Sequence, residues 1–111
     1  AWKAIVKPQT QAWNAYHKHK QFIDEEKGLT SERHRHRYEF NDDFTKDFIE
    51  KGMIFSARSV IEDLVEIMEL PNSVHPFYLG TQGHPEYKSR PLKPHALFLA
   101  FISACIKNLD R

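Results

Sequence analysis

Apolar residues fall along this chain in short clusters that switch between a two-residue and a helical rhythm. Residues 2–7 alternate as a strand does, and Pro8, with no N–H to give a ladder, stops it. Ala12, Trp13 and Tyr16 then predict a short helix that frays into the polar run His17-Lys18-His19-Lys20. Asp24-Glu25-Glu26-Lys27-Gly28 reads as a surface turn. Asn41-Asp42-Asp43 offers helix N-caps, with Phe44, Phe48 and Ile49 on one face and Gly52 as the stop. Residues 53–56 read as a strand, and residues 64–70 as a second one, apolar on both faces. Pro71-Asn72-Ser73 is a turn, and residues 77–82 predict a third, buried strand. After the Pro-rich stretch Arg90-Pro91-Leu92-Lys93-Pro94, a last helix is expected over residues 95–109. Its apolar face would carry Leu97, Phe98, Phe101, Ile102, Cys105 and Leu109.

Strands interleaved with helices, and one adjacent strand pair in the middle, predict an α/β domain. The expected form is an open, mixed or mostly parallel sheet with helices on its faces. No repeat or low-complexity segment divides the 111 residues. Sixteen Lys and Arg against 15 Asp and Glu leave a net charge of +1, so no global field draws the chain to nucleic acid or membrane. A single Cys cannot close an internal disulfide, which favours a reducing compartment. No apolar run approaches the ~20 residues of a membrane span, and no signal-peptide pattern opens the chain. A cytoplasmic protein without membrane or nucleic-acid partners is therefore expected. The chain begins on a strand with no Met and no lead-in, which predicts a fragment or cleavage product.

Chemistry concentrates in two places. In Glu32-Arg33-His34-Arg35-His36-Arg37-Tyr38-Glu39, Arg and His alternate strictly between acidic ends. On an extended strand, Arg33, Arg35 and Arg37 would line one face, and His34, His36 and Tyr38 the other. A polyanion site gains nothing from the flanking carboxylates, so a basic patch fits this pattern poorly. The second place is His84-Pro85-Glu86, just beyond the third strand, where α/β sheets gather their catalytic groups. An imidazole and a carboxylate two residues apart suit a His general base held by a Glu, the outer members of a nucleophilic triad. Their nucleophile is missing: Cys105 is the only thiol, on the apolar face of the last helix, where a buried and unactivated side chain is expected. Gly28, Gly52, Gly80 and Gly83 form no phosphate-binding loop. The pairs His17/His19 and His34/His36 match no zinc signature, and solvated or structural histidines are the better reading.

Together, the Arg/His strand followed by Asn41, the segment at residues 64–70, His75-Pro76-Phe77, Gln82, His84-Pro85-Glu86, Ser89-Arg90-Pro91, Leu97-Phe98 and Phe101 resemble the C-terminal half of the class I glutamine amidotransferase domain of CTP synthases. The resemblance covers residues 1–107, loosely before Glu32. It implies a three-layer α/β/α fold and a Cys-His-Glu triad that hydrolyses glutamine. Ammonia then passes to a separate synthetase domain, where ATP and Mg²⁺ serve the amination of UTP to CTP. It implies that His84 is the triad base, that Glu86 fixes its tautomer, and that Arg37, supported by Arg35, holds the glutamine α-carboxylate. The segment itself would need no cofactor or metal. The nucleophile half and the synthetase domain are expected outside it, as partners, in an enzyme expected to be a homo-oligomer. Gly83 replaces the aromatic residue usual before the His, and residues 17–31 look like an insertion loop. An alternative is a catalytically inactive pseudo-glutaminase acting as an interaction or regulatory module.

Overall fold

The computed structural model describes residues 2–33 and 40–109. In chain order they form β1 (Trp2–Val6), α1 (Gln11–Lys18), β2 (Leu29–Glu32), a 3₁₀ turn (Asp42–Phe44) leading into α2 (Thr45–Glu50), β3 (Ile54–Ser59), β4 (Val65–Glu69), β5 (Leu79–Thr81), a second 3₁₀ turn (Pro85–Tyr87) and α3 (Ala96–Asn108). The strands make one sheet in the order β2-β1-β3-β4-β5.

The α/β architecture is as the sequence predicts, whereas the pairing differs: every join between the described strands is antiparallel. The connections explain this. Residues 60–64 and 70–78 link β3, β4 and β5 without a helix, and a parallel pair needs a long crossover. Between β1 and β2 the chain goes out through α1 and returns through residues 19–28, so it re-enters the sheet reversed. Of the predicted loop at 17–31, the first two residues therefore close α1 and the last three lie in β2.

Alternation along β1 puts Ala4 and Val6 on the face that α1 and α3 cover, with Ala12, Ala15, Tyr16, Ala57, Ile67, Ala96 and Leu97 completing the core. A break in register then reverses the alternation in β3. Phe55 pairs with Met68, but Ala57 pairs with Ile67, leaving Ser56 as an extra residue. Ala57 consequently joins the core, while Phe55 meets Phe40 and Phe48 of α2, at centroid distances of 5.3 and 6.5 Å. Helices thus lie on both faces of the sheet.

Side-chain caps open α1 and the 3₁₀ turn that leads into α2. The Thr10 hydroxyl accepts the Trp13 N–H at 3.1 Å, and the Asn41 side chain accepts the Asp43 N–H at 3.0 Å. α1 gains a second anchor that sequence pattern does not reveal. The buried Glu69 carboxylate on β4 accepts the Gln11 and Ala12 N–H groups at 2.7 and 3.1 Å. At the entry to β2, Gly28 has φ +66°, and a Cβ there would lie 2.6 Å from the Val6 carbonyl oxygen. Gly28→Ala is expected to lower stability by about 1–2 kcal/mol from the left-handed backbone alone, with the clash adding to it. A urea denaturation midpoint equal to that of the parent protein would contradict this.

Two expectations are corrected. β5 is a short edge strand, not a buried one, and its Gly80 is exposed. Cys105 is exposed rather than buried, because Phe98, Phe101, Ile102, Ile106 and Leu109 of the same helix region are also uncovered. Only the first turn of α3, with Ala96 and Leu97, is buried. No helix among the described residues is long and apolar enough to cross a membrane.

Candidate active site

The chain leaves β5 at Thr81 and turns sharply. The Thr81 hydroxyl accepts the Gly83 N–H at 3.0 Å, and the Glu66 carbonyl accepts the Gln82 N–H at 2.8 Å. Pro85, with its fixed φ and no N–H, starts the 3₁₀ turn, and the His84 carbonyl accepts the Tyr87 N–H at 3.1 Å. This compact turn brings the His84 and Glu86 side chains together, with Nδ1 2.8 Å from Glu86 Oε2. A carboxylate only accepts, so Nδ1 carries a proton, and in the neutral ring the lone pair is on Nε2. The hydrogen bond from His84 holds the Glu86 carboxyl below the usual carboxylate range, so it is ionised at neutral pH. Tyr87 stacks on the imidazole at 5.4 Å, which limits ring rotation. What results is an oriented, partly exposed base with a free Nε2 lone pair.

The turn is bound to the end of β2. His84 N–H donates to the Arg33 carbonyl at 2.7 Å, and Lys88 Nζ donates to the Ser31 carbonyl at 2.7 Å. The Arg33 guanidinium carbon stands 5.9 Å from the Tyr87 ring centroid. Arg33, the first arginine of the Arg/His run, thus stands against the His84–Glu86 pair, one residue past the end of β2. Arg35 and Arg37, with His34, His36, Tyr38 and Glu39, lie outside the described residues.

Beneath β2 is a buried polar cluster that the sequence does not announce. Glu32 Oε2 accepts the Tyr16 hydroxyl at 2.6 Å and His95 Nε2 at 2.7 Å. His95 Nδ1 in turn accepts the Leu97 N–H at 3.1 Å, capping α3 and fixing the proton on Nε2. Burial pushes the Glu32 carboxyl up, but the hydrogen bonds from His95 and Tyr16, with the Lys88 charge, outweigh it and leave it below the usual range. Burial and then the Glu32 charge push the Tyr16 hydroxyl well above its ordinary value, so it stays a donor. Gln21 adds a further tie, donating to the Pro94 carbonyl and accepting the Ala96 N–H, each at 2.8 Å.

Elsewhere His17 Nδ1 meets Glu25 at 2.6 Å in an exposed pair. Among the described residues no group of three or more His, Cys, Asp and Glu side chains converges to hold a metal ion.

An α/β sheet carrying a His-Glu pair on the turn after an edge strand agrees with what comparison shows. Residues 4–104 match the family described as glutamine amidotransferase class I. The chain belongs to this family, whose members are glutamine amidotransferases. More particularly, it is 50% identical over 107 residues to the CTP synthase of Aquifex aeolicus (strain VF5), covering 96% of this chain and 18% of that protein. It is 46% identical over 108 residues to the CTP synthase of Nitratidesulfovibrio vulgaris, covering 97% of this chain and 18% of that one. Among solved structures it resembles the glutaminase domain of Trypanosoma brucei CTPS with bound acivicin, with a TM-score of 0.79 and 29% identity, covering 96% of this chain and 38% of that chain.

Proposed function

We propose that this chain is the part of a CTP synthase glutaminase domain that carries the general base and the glutamine-holding strand. The observation that carries the reading is the His84–Glu86 contact of 2.8 Å on a turn bonded to Arg33, at the start of the Arg/His run. In this reading a cysteine from the rest of the domain gives its proton to His84 Nε2. Its thiolate then attacks the glutamine side-chain amide carbon. When the C–N bond breaks, His84 returns the proton to the departing ammonia. Water next attacks the thioester with His84 as base, releasing glutamate and restoring the thiol. Glu86 keeps the imidazole in the required tautomer and stabilises its protonated form.

Arg37 is assigned to the glutamine α-carboxylate, with Arg35 supporting it, because a planar guanidinium pairs with a carboxylate through two parallel bonds. The ammonia serves the ATP- and Mg²⁺-dependent amination of UTP to CTP in a synthetase domain, which lies in the part of the enzyme outside this chain. The inactive-module alternative draws on Gly83 and on the absence of an activated cysteine from these residues; the first of these motives is the one the structure bears on. That motive weakens, because a Cβ at Gly83 would stand 3.0 Å from the Glu32 Cβ, so the close packing of this turn on β2 itself favours glycine.

The test is ammonia release from glutamine by protein containing the whole glutaminase domain, before and after Arg37→Ala. The parent should release ammonia, and its absence would end the reading. The variant should raise the glutamine KM, by the equivalent of about 2–3 kcal/mol for a lost charged pair. An unaltered KM would remove Arg37 from the pocket.

A further inference from the structure

We propose that Glu32, held by Tyr16 and His95, is a positioning residue that sets the His84–Glu86 pair at its working height above β2. This rests on the glutaminase reading and adds to it a group that does not touch substrate. Its side chain is the meeting point of three elements. Tyr16 reaches it from α1, His95 from the start of α3, and Gly83 lies directly against it from the turn. The residue before Gly83 is tied to β4, and the residue after it to the Arg33 carbonyl, one position along from Glu32. Lys88, just past the turn, grips the Ser31 carbonyl, one position before Glu32. The turn and Lys88 therefore contact three successive residues at the end of β2, Ser31, Glu32 and Arg33, and Glu32 is the middle one.

Closure continues beyond the turn. The Ser89 hydroxyl accepts the His95 N–H at 3.1 Å, so the segment from Gly83 to His95 leaves Glu32 and comes back to it. A shift of the carboxylate would move both ends of that segment, with His84 and Glu86 between them. Stability alone gives a poor account of the cluster. A buried ionic cluster is commonly matched or exceeded by apolar residues of similar volume. A fixed geometry, by contrast, needs directional bonds, and here the Tyr16 hydroxyl and His95 Nε2 converge on one oxygen.

The experiment uses the full-length enzyme, with Glu32→Gln, Tyr16→Phe and His84→Ala. It measures kcat and KM for glutamine, the rate with added ammonium salt in place of glutamine, and far-ultraviolet circular dichroism. Free ammonia bypasses the glutaminase site, so its rate reports an intact remainder. Glu32→Gln keeps the volume but offers the two donors a neutral amide oxygen, without the charge that strengthens both bonds. It should lower kcat for glutamine by about 10–100-fold, the scale of a misplacement near 1 Å. KM and the ammonia-driven rate should stay near those of the parent. Tyr16→Phe, losing one of the two bonds, should fall between Glu32→Gln and the parent. A parental kcat in Glu32→Gln, or a loss carried by KM alone, overturns the proposal. If Glu32→Gln does not fold, Tyr16→Phe decides: a lowered kcat supports it and a parental kcat overturns it. Glutamine hydrolysis retained in His84→Ala would remove the underlying reading and the proposal with it. Hydrolysis lost there but unchanged in Glu32→Gln would remove the proposal alone.

Discussion

Replacing His84 by alanine is expected to cut glutamine-driven turnover by roughly 10⁴–10⁶-fold, the scale seen when a triad base is deleted. Ammonia-driven turnover should be unaffected. The size follows from the imidazole acting twice in each half of the reaction, as acceptor of the incoming nucleophile's proton and as donor to the leaving group. Among the described residues, no neighbour is placed to take over. Glu86 is held to Nδ1, on the far side of the ring from the lone pair at Nε2, and the Tyr87 hydroxyl group belongs to a ring stacked on the imidazole. Glu86→Gln should do less damage, because the base survives in a less well-defined tautomer. The measurement is glutamate formation beside product formation from added ammonium. Glutamate formation within tenfold of the parent would mean that another group is the base.

Glu69→Ala is the substitution expected to cost most in folding. Glu69 is about 1% exposed, and its two carboxylate oxygens accept the Gln11 and Ala12 N–H groups. A helix leaves its first four N–H groups without internal partners, and here Thr10 supplies only the one to Trp13. Alanine would strand buried donors and open a cavity beside Ala12, which has no exposed surface. Hydrogen bonds to charged groups contribute roughly 1.5–3 kcal/mol each, so a loss of about 3–4 kcal/mol is expected. Glu69→Gln, keeping one acceptor, should recover part of it. Urea denaturation of the folded domain checks both, and a loss under ~1 kcal/mol for the alanine variant would show that α1 is capped another way.

How far the sequence discloses this structure depends on whether the signal is local. The helix starting at Gln11 and the one starting at Ala96 are legible from the apolar period and the residues before them. The pairing of His84 with Glu86 is equally legible, since the two lie only two residues apart around a proline, although a 3₁₀ turn and not the extended chain brings them together. The antiparallel pairing is not, because alternation gives each strand a face but no neighbour. Nor is the reversal at Ser56, where one extra residue separates Phe55 from Ala57 across the sheet. The apolar stripe of α3 misled on burial for a related reason: a pattern states which face seeks cover, not what supplies it. Glu69 looked like one residue of an apolar strand and is a helix cap from 57 and 58 positions away. Glu32 looked like the acidic end of the Arg/His run. Only the fold reveals it as the partner of Tyr16 and His95, since nothing in the spacing of those three residues singles them out.

The separation of those partners also bears on how the site forms in time. Glu32 joins a residue 16 positions before it and another 63 positions after it. Contacts between distant parts of a chain must first meet the entropy of closing the intervening loops, and they form slowly for that reason. The Glu32 cluster is therefore expected to form after the local turn at residues 84–87. That turn is then expected to take its final place against β2 only once α1 and α3 have closed on Glu32.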